Sequence, residues 1–178
     1  MKLHLACGDV YLKDYINCDI EGIIEKPSYS KTLYNYFEDR KIGERKEIYI
    51  DKRMDLLEIP YEFEDNSIEE VAMISSIEHF KLEDATKILN EIKRILKPGG
   101  RLVIDFPDIE RIVKRYILKE PEWCMRLIYC SNRNKYAIHR WGYTFKSFKK
   151  TLGPEWKIRR RIIVNHDYPI VGIVATKR

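Results

Sequence analysis

Residues 69–106 read EEVAMISSIEHFKLEDATKILNEIKRILKPGGRLVIDF, and this stretch decides the fold. Glu69 to Ser76 holds a short continuous apolar run bounded by polar residues, the pattern of a strand buried on both faces. After it, Ala85, Ile88, Leu89, Ile92, Ile95 and Leu96 recur every three or four residues, which predicts an amphipathic helix stopped by Pro98-Gly99-Gly100. Arg101 to Phe106 is a second buried strand. A strand, a crossover helix and a strand make a βαβ unit, whose strands run parallel in a sheet covered on both faces.

Working outward, Lys2 to Ala6 and Tyr15 to Ile20 read as two more strands, the first ending at Cys7-Gly8-Asp9 and the second at Asp19. A strand is expected between Glu47 and Asp55, followed by a loop with Pro60 and a turn at Asp65-Asn66-Ser67. Residues 21–47 are polar and irregular, with a weak helix around Ser30 to Arg40, and read as an insertion or lid. Asp108 can cap a helix carrying Ile109, Ile112, Val113 and Tyr116, a further helix is expected from Pro121 to about Ser131, and Thr144 caps a short helix closed by Gly153-Pro154. Residues 156–164 and 168–178 read as strands joined by a tight turn, so an antiparallel hairpin ends the chain. Residues 108–153 thus form a helical segment on the substrate side. The 178 residues suit one domain.

Composition excludes several classes. No apolar run approaches the ~18 residues of a membrane span, and the start turns polar too early for a signal peptide, so a soluble cytoplasmic protein with no membrane partner is expected. The four cysteines fit reduced core residues better than a disulfide frame. A zinc site from Cys124, Cys130, His139 and His166 lacks finger or ribbon spacing, so no metal is expected. Charge divides the chain: residues 1–89 hold 12 basic and 20 acidic side chains, residues 90–178 hold 21 and 8. The basic half suits an acidic substrate or nucleic acid; solvated helices and a charged edge strand are the plainer explanation.

The ordered set of motifs resembles the class I S-adenosylmethionine (SAM) dependent methyltransferases, in their compact branch with a short first loop. Leu3 to Gly8 resembles the glycine loop after strand one, Tyr15 to Ile20 strand two with its terminal acid, and Asp55 to Pro60 with Asp65 to Glu70 the third-strand region. Ile77 to Phe80, Leu96 to Pro107 and His139 to Thr144 complete the order. The pattern departs in the first loop, where the family's acid falls on His4 and its first and third glycines on Ala6 and Val10. The resemblance implies a three-layer Rossmann-like α/β fold with a mostly parallel seven-stranded sheet and SAM as cofactor. It places Ala6, Cys7 and Gly8 beside the amino-acid end of SAM, Asp19 and Ile20 at its ribose, and Asp55 and Leu56 at its adenine. Asp19 also reads as a surface-turn residue, and Asp55 as a turn cap.

Physical chemistry supports the cofactor choice. Only ten residues separate Gly8 from Asp19, too few for the helix whose N-terminus a dinucleotide pyrophosphate needs; SAM carries no phosphate. Ser75, Ser76 and Ile77 leave strand four at the carboxyl edge of the sheet, where open α/β folds bind ligands. Methyl transfer asks mainly for alignment, and for a base where the acceptor holds a proton. His79 is the first candidate base, with an imidazole that caps the next helix as its alternative. His139 and Tyr143 are candidates if their segment folds over the crevice, or parts of a packed loop if it does not. Glu78, Asp105 and Asp108 also lie near the mouth. The acceptor is read as a small sugar or metabolite, of anionic character if the basic half meets it. An RNA or DNA methyltransferase and a catalytically silent SAM-fold binding module are the alternatives, and no residue pattern speaks to oligomeric state.

Overall fold

The computed structural model describes residues 1–38, 47–132, 134–164 and 167–178. In chain order its elements are β1 (Lys2–Leu5), β2 (Ile16–Asp19), α1 (Leu33–Glu38), β3 (Lys52–Arg53), β4 (Ile68–Ile74), a 3₁₀ turn (Ile77–His79), α2 (Leu82–Ile95), β5 (Leu96–Pro107), α3 (Ile109–Tyr116), α4 (Pro121–Tyr129), α5 (Phe145–Leu152), β6 (Trp156–Val164) and β7 (Ile170–Lys177). The strands form one sheet in the order β3-β2-β1-β4-β5-β7-β6. The pairs from β3 through β5 are parallel, and β7 runs antiparallel to both β5 and β6. No described helix is long and apolar enough to cross a membrane.

Register explains which side chains are inside. Leu3 pairs with Val71 and Leu5 with Met73, and Val71 and Met73 pair with Leu102 and Ile104, so these residues share one face with period two. That face packs on Ala85, Ile88, Leu89, Ile92 and Ile95 of α2 and on Phe148 and Leu152 of α5, forming the main core. The opposite face carries His4, Asn17, Ala72, Ile74 and Asp105, and α1 covers part of it through Tyr36, Leu33 and Phe37. Because α1 lies in the expected insertion, residues 21–47 supply a cover for the second face that the short β1–β2 connection has no room to make. Residues 39–46 of that stretch lie outside the described residues.

Two regions differ from the sequence reading. Helix α2 ends at Ile95, and Leu96 is already extended, because its pairing with Ile68 of β4 begins at once, and Pro98 keeps Lys97 before it out of the helical region as well. Leu96 pairs with Ile68 and Arg101 with Glu70, so Lys97 to Gly100 loops out inside β5. Gly99 sits at φ 74°, and a Cβ on Gly100 would meet the Lys97 carbonyl at 2.8 Å; both glycines serve this bulge. The third strand shrinks to Lys52–Arg53. The tight turn expected at residues 165–167 lies, but for Asp167, outside the described residues.

The capping predictions for α3 and α5 agree with the structure. Asp108 Oδ1 accepts from the Arg111 amide at 3.5 Å, and Thr144 and Ser147 form a reciprocal capping box on α5.

Candidate functional site

The carboxyl ends of β1 and β2 carry the first half of the site. Ala6 adopts φ 48° and Gly8 φ 54°, so the chain reverses in two left-handed steps. An alanine there costs about 1–2 kcal/mol of local strain, and its backbone still has the geometry that favours glycine. The Cys7 amide donates to the Cys18 carbonyl at 3.0 Å, tying the loop to β2. Asp19 completes it: Oδ2 accepts from the Gly8 amide at 2.8 Å and Oδ1 from the Ile20 amide at 2.7 Å. A Cβ on Gly8 would meet no heavy atom within 4 Å, so open space lies beside this loop and its acid. Cys7 itself is buried, and desolvation pushes its thiol well above the ordinary range, which makes it inert.

The end of β4 carries the second half. Ser75 stands at φ 42°, and its amide and hydroxyl donate to Asp105 Oδ1 at 2.6 and 3.1 Å. Tyr36 of α1 donates to the other oxygen at 3.2 Å. Asp105 is therefore a buried anchor that sets the β4 loop. Ser76 follows with its hydroxyl buried and without a hydrogen-bond partner among the described residues. The Ile77 side chain turns into the main core.

Glu78 and His79 then meet the segment before α5. The Glu78 carbonyl accepts from the Arg140 and Trp141 amides at 2.8 and 3.2 Å, so this segment does fold against the β4 loop. The His79 and His139 rings stand edge to face with centroids 4.9 Å apart. Nδ1 of His79 lies 3.0 Å from the Ile138 carbonyl, and Nδ1 of His139 lies 3.1 Å from the carbonyls of both Leu127 and Ile128 in the last turn of α4. A carbonyl only accepts, so both Nδ1 atoms carry the proton and Nε2 carries the lone pair. Burial is the main cause lowering both imidazoles. It holds His79 below its usual value and, with the neighbouring His79, takes His139 down to about 4; both are neutral at pH 7. Glu78 Oε1 lies 3.9 Å from His139 Nε2. Cys130, at the end of α4 and one of the four zinc candidates of the sequence, joins the two histidines, with one ligand atom of each within 4.8 Å of the others. Of the zinc set considered from the sequence, Cys124 is instead buried in a separate cluster with Ile112, Tyr116 and Leu127, and His166 is outside the described residues.

The remaining sequence candidates are placed differently. Tyr143 is 1% exposed and packs between Phe106 and Phe148, with centroids 5.4 and 5.2 Å away, so its ring belongs to the core beneath the segment. Burial and the Glu78 charge raise its hydroxyl well above the ordinary range. Leu56 is also in the main core. Asp55 Oδ1 accepts from the Leu57 amide at 2.9 Å, a local turn. Asp108 caps α3 and faces Arg161 at 3.4 Å.

The family model described as a methyltransferase domain matches residues 3–104, and the chain belongs to that family. No curated protein matches it. Among solved structures, a SAM-dependent methyltransferase from Methanosarcina mazei superposes with a TM-score of 0.61 at 15% identity, covering 99% of this chain and 91% of that one. A protein from Pyrococcus horikoshii gives 0.59 at 20%, covering 99% and 81%, and a SAM-dependent methyltransferase from Mesorhizobium loti 0.56 at 13%, covering 99% and 90%. At these identities the likeness is one of fold. The chain is a methyltransferase and its cofactor is SAM. The first loop fits that group: open space beside Gly8 and a carboxylate whose oxygens can accept further hydrogen bonds suit a ligand with hydroxyls and no phosphate.

Proposed function

We propose that this enzyme methylates a small acceptor, a sugar or related metabolite, held at the end of β4 beside His79 and His139. The observation that carries this reading is the pair of neutral imidazoles at the carboxyl edge of the sheet, one strand away from the Asp19 loop. SAM, when bound, supplies a methyl group already activated on a sulfonium, so the protein's task is alignment and exclusion of water. In this reading Asp19 accepts from the ribose hydroxyls, the Ala6 to Gly8 backbone borders the amino-acid end, Ile20 with Asp55 borders the nucleoside, and the Ser75 and Ser76 backbone lines the crevice floor. His79 orients the acceptor and takes its proton on Nε2, a role open to a buried imidazole that is neutral at pH 7. His139 holds the end of α4 and faces the same space.

Calorimetry with SAM tests the site. The wild type should bind, and Asp19→Ala should weaken binding by about 1–3 kcal/mol through lost hydrogen bonds; unchanged affinity removes Asp19 from the site. Release of S-adenosylhomocysteine with pooled metabolites then tests the acceptor class.

A nucleic-acid acceptor is the second reading, favoured by exposed Lys146, Lys149 and Lys150 on α5 beside exposed Lys157 and Arg159 on β6. Activity on RNA that falls steeply with salt would replace the metabolite reading.

A further inference from the structure

We infer that His79, Cys130 and His139 form a binding site for a divalent transition-metal ion of the zinc type, at the acceptor end of the crevice. The three side chains come from separate places: His79 closes the 3₁₀ turn after β4, Cys130 follows α4, and His139 lies on the segment that folds back onto Glu78. Only the tertiary fold brings them together, and one ligand atom from each lies within 4.8 Å of the others. Tetrahedral zinc with bonds of about 2.0–2.3 Å needs its ligands roughly 3.3–3.8 Å apart. A closure of about 1 Å among three side chains therefore completes the set.

The surroundings suit a metal. Each histidine donates Nδ1–H to a backbone carbonyl, the outer contact that fixes tautomer and ring orientation in metal sites and leaves the other nitrogen to coordinate. Two imidazoles and a thiolate are the ligand types zinc prefers over magnesium or calcium. Cys130 alone among the four cysteines is not fully buried, so an ion has access to its sulfur. Cys130 also sits at φ 67°, ψ −169°, a backbone region that non-glycine residues avoid. The Glu78 carboxylate, 3.9 Å from His139 Nε2, adds negative charge beside the ion. Binding releases the Cys130 thiol proton to solvent. Three protein ligands leave one position open, as in catalytic rather than structural zinc sites, a place an acceptor oxygen can take; with the ion bound Nε2 of His79 is a ligand, so the base role given to it above belongs to the metal-free protein. The metal site stands on these residues alone; only its use toward an acceptor rests on the proposed function.

The test uses the full chain, stripped with a chelator and titrated with Co²⁺ alone. We expect one equivalent to bind with a thiolate-to-cobalt charge-transfer band in the near ultraviolet, displaced by Zn²⁺. Cys130→Ser should abolish the band, and His79→Gln or His139→Gln should weaken Co²⁺ binding by at least about tenfold. No band in the wild type, or a band retained in Cys130→Ser, overturns the inference. A measurement independent of variants uses mass spectrometry: Zn²⁺ should slow alkylation of Cys130 at least about tenfold, and equal rates with and without Zn²⁺ overturn the site. SAM calorimetry on the same samples separates the two readings. SAM heat without a cobalt band removes the metal and keeps the methyltransferase crevice; a cobalt band without SAM heat keeps the metal and counts against the crevice.

Discussion

On one face of the sheet Leu3, Leu5, Val71, Met73, Leu102 and Ile104 are buried against α2 and α5, while on the other His4, Asn17, Glu70 and Asp105 are buried almost as completely. Contact is enough to stabilise the first face, because dispersion and burial are non-directional. The second face has to satisfy each polar group individually. Asn17 shows how: its side-chain oxygen lies 3.1 Å from His4 Nδ1 and accepts from the Leu12 amide at 2.8 Å, while its Nδ2 donates to the Leu12 carbonyl and to Asp51 at 3.0 Å each. Glu70 accepts from Tyr15 and pairs with Arg101, and Asp105 holds Ser75. These bonds end on the β1–β2 connection and the β4 loop, the segments that border the crevice. The apolar face makes the domain stable, and the polar face aims the loops.

That contrast is open to attack in order of expected size. Ile104→Ala, in the middle of the apolar face, should lower unfolding stability by about 2–5 kcal/mol, read as a shift in denaturant midpoint with unchanged slope. A shift under about 1 kcal/mol would mean that this face is less tightly packed than its burial implies.

On the polar face, burial takes His4 down to about 4. An unfolded histidine titrates near 6.5, so between these values the unfolded chain binds more protons than the folded one, and stability drops as pH falls. The contribution is complete above pH ~6.5, amounts to about 3 kcal/mol, and is lost as pH approaches ~4. His4→Asn, whose amide can also donate to Asn17, should remove that part of the acid loss in unfolding curves taken from pH 7 to 4. An unaltered pH profile would show that His4 is hydrated in solution.

The smallest effect is expected at the loop the polar face aims. Ala6→Gly relieves a left-handed alanine at φ 48° while adding freedom to the unfolded chain, so the net change should be a gain below about 1 kcal/mol with SAM binding retained. A clear destabilisation would mean that Ala6 relaxes out of this conformation.

Much of the architecture was legible in short-range pattern. Helix α2 announced itself by Ala85, Ile88, Leu89, Ile92 and Ile95 at helical spacing, and α5 by the Thr144 cap, because amphipathic periodicity and capping are local properties. Leu96 reads as the last apolar residue of α2 and Pro98-Gly99-Gly100 as its stop, whereas in the folded sheet Leu96 opens β5 and the three residues lie in a bulge. Of the candidate site, Gly8 and Asp19 are joined by a hydrogen bond across the ends of β1 and β2, and His79 meets His139. The Tyr143 ring lies in the core because its neighbours are Phe106 and Phe148, a contact no local spacing displays.

The linear chain by itself determined the alternation of strands and helices, the caps, and the two strand ends at Gly8 and Asp19, all of which arise from interactions between residues close in sequence. Tertiary structure alone decided that a helix from the 21–47 stretch covers the polar face, that Asp105 anchors Ser75, and that Cys130 stands beside His79 and His139. Apart from Cys130 and His139, nine residues apart, such neighbours are separated along the chain by tens of residues, and the sheet register and crossover geometry that bring them within a few ångströms leave no periodic trace in the sequence.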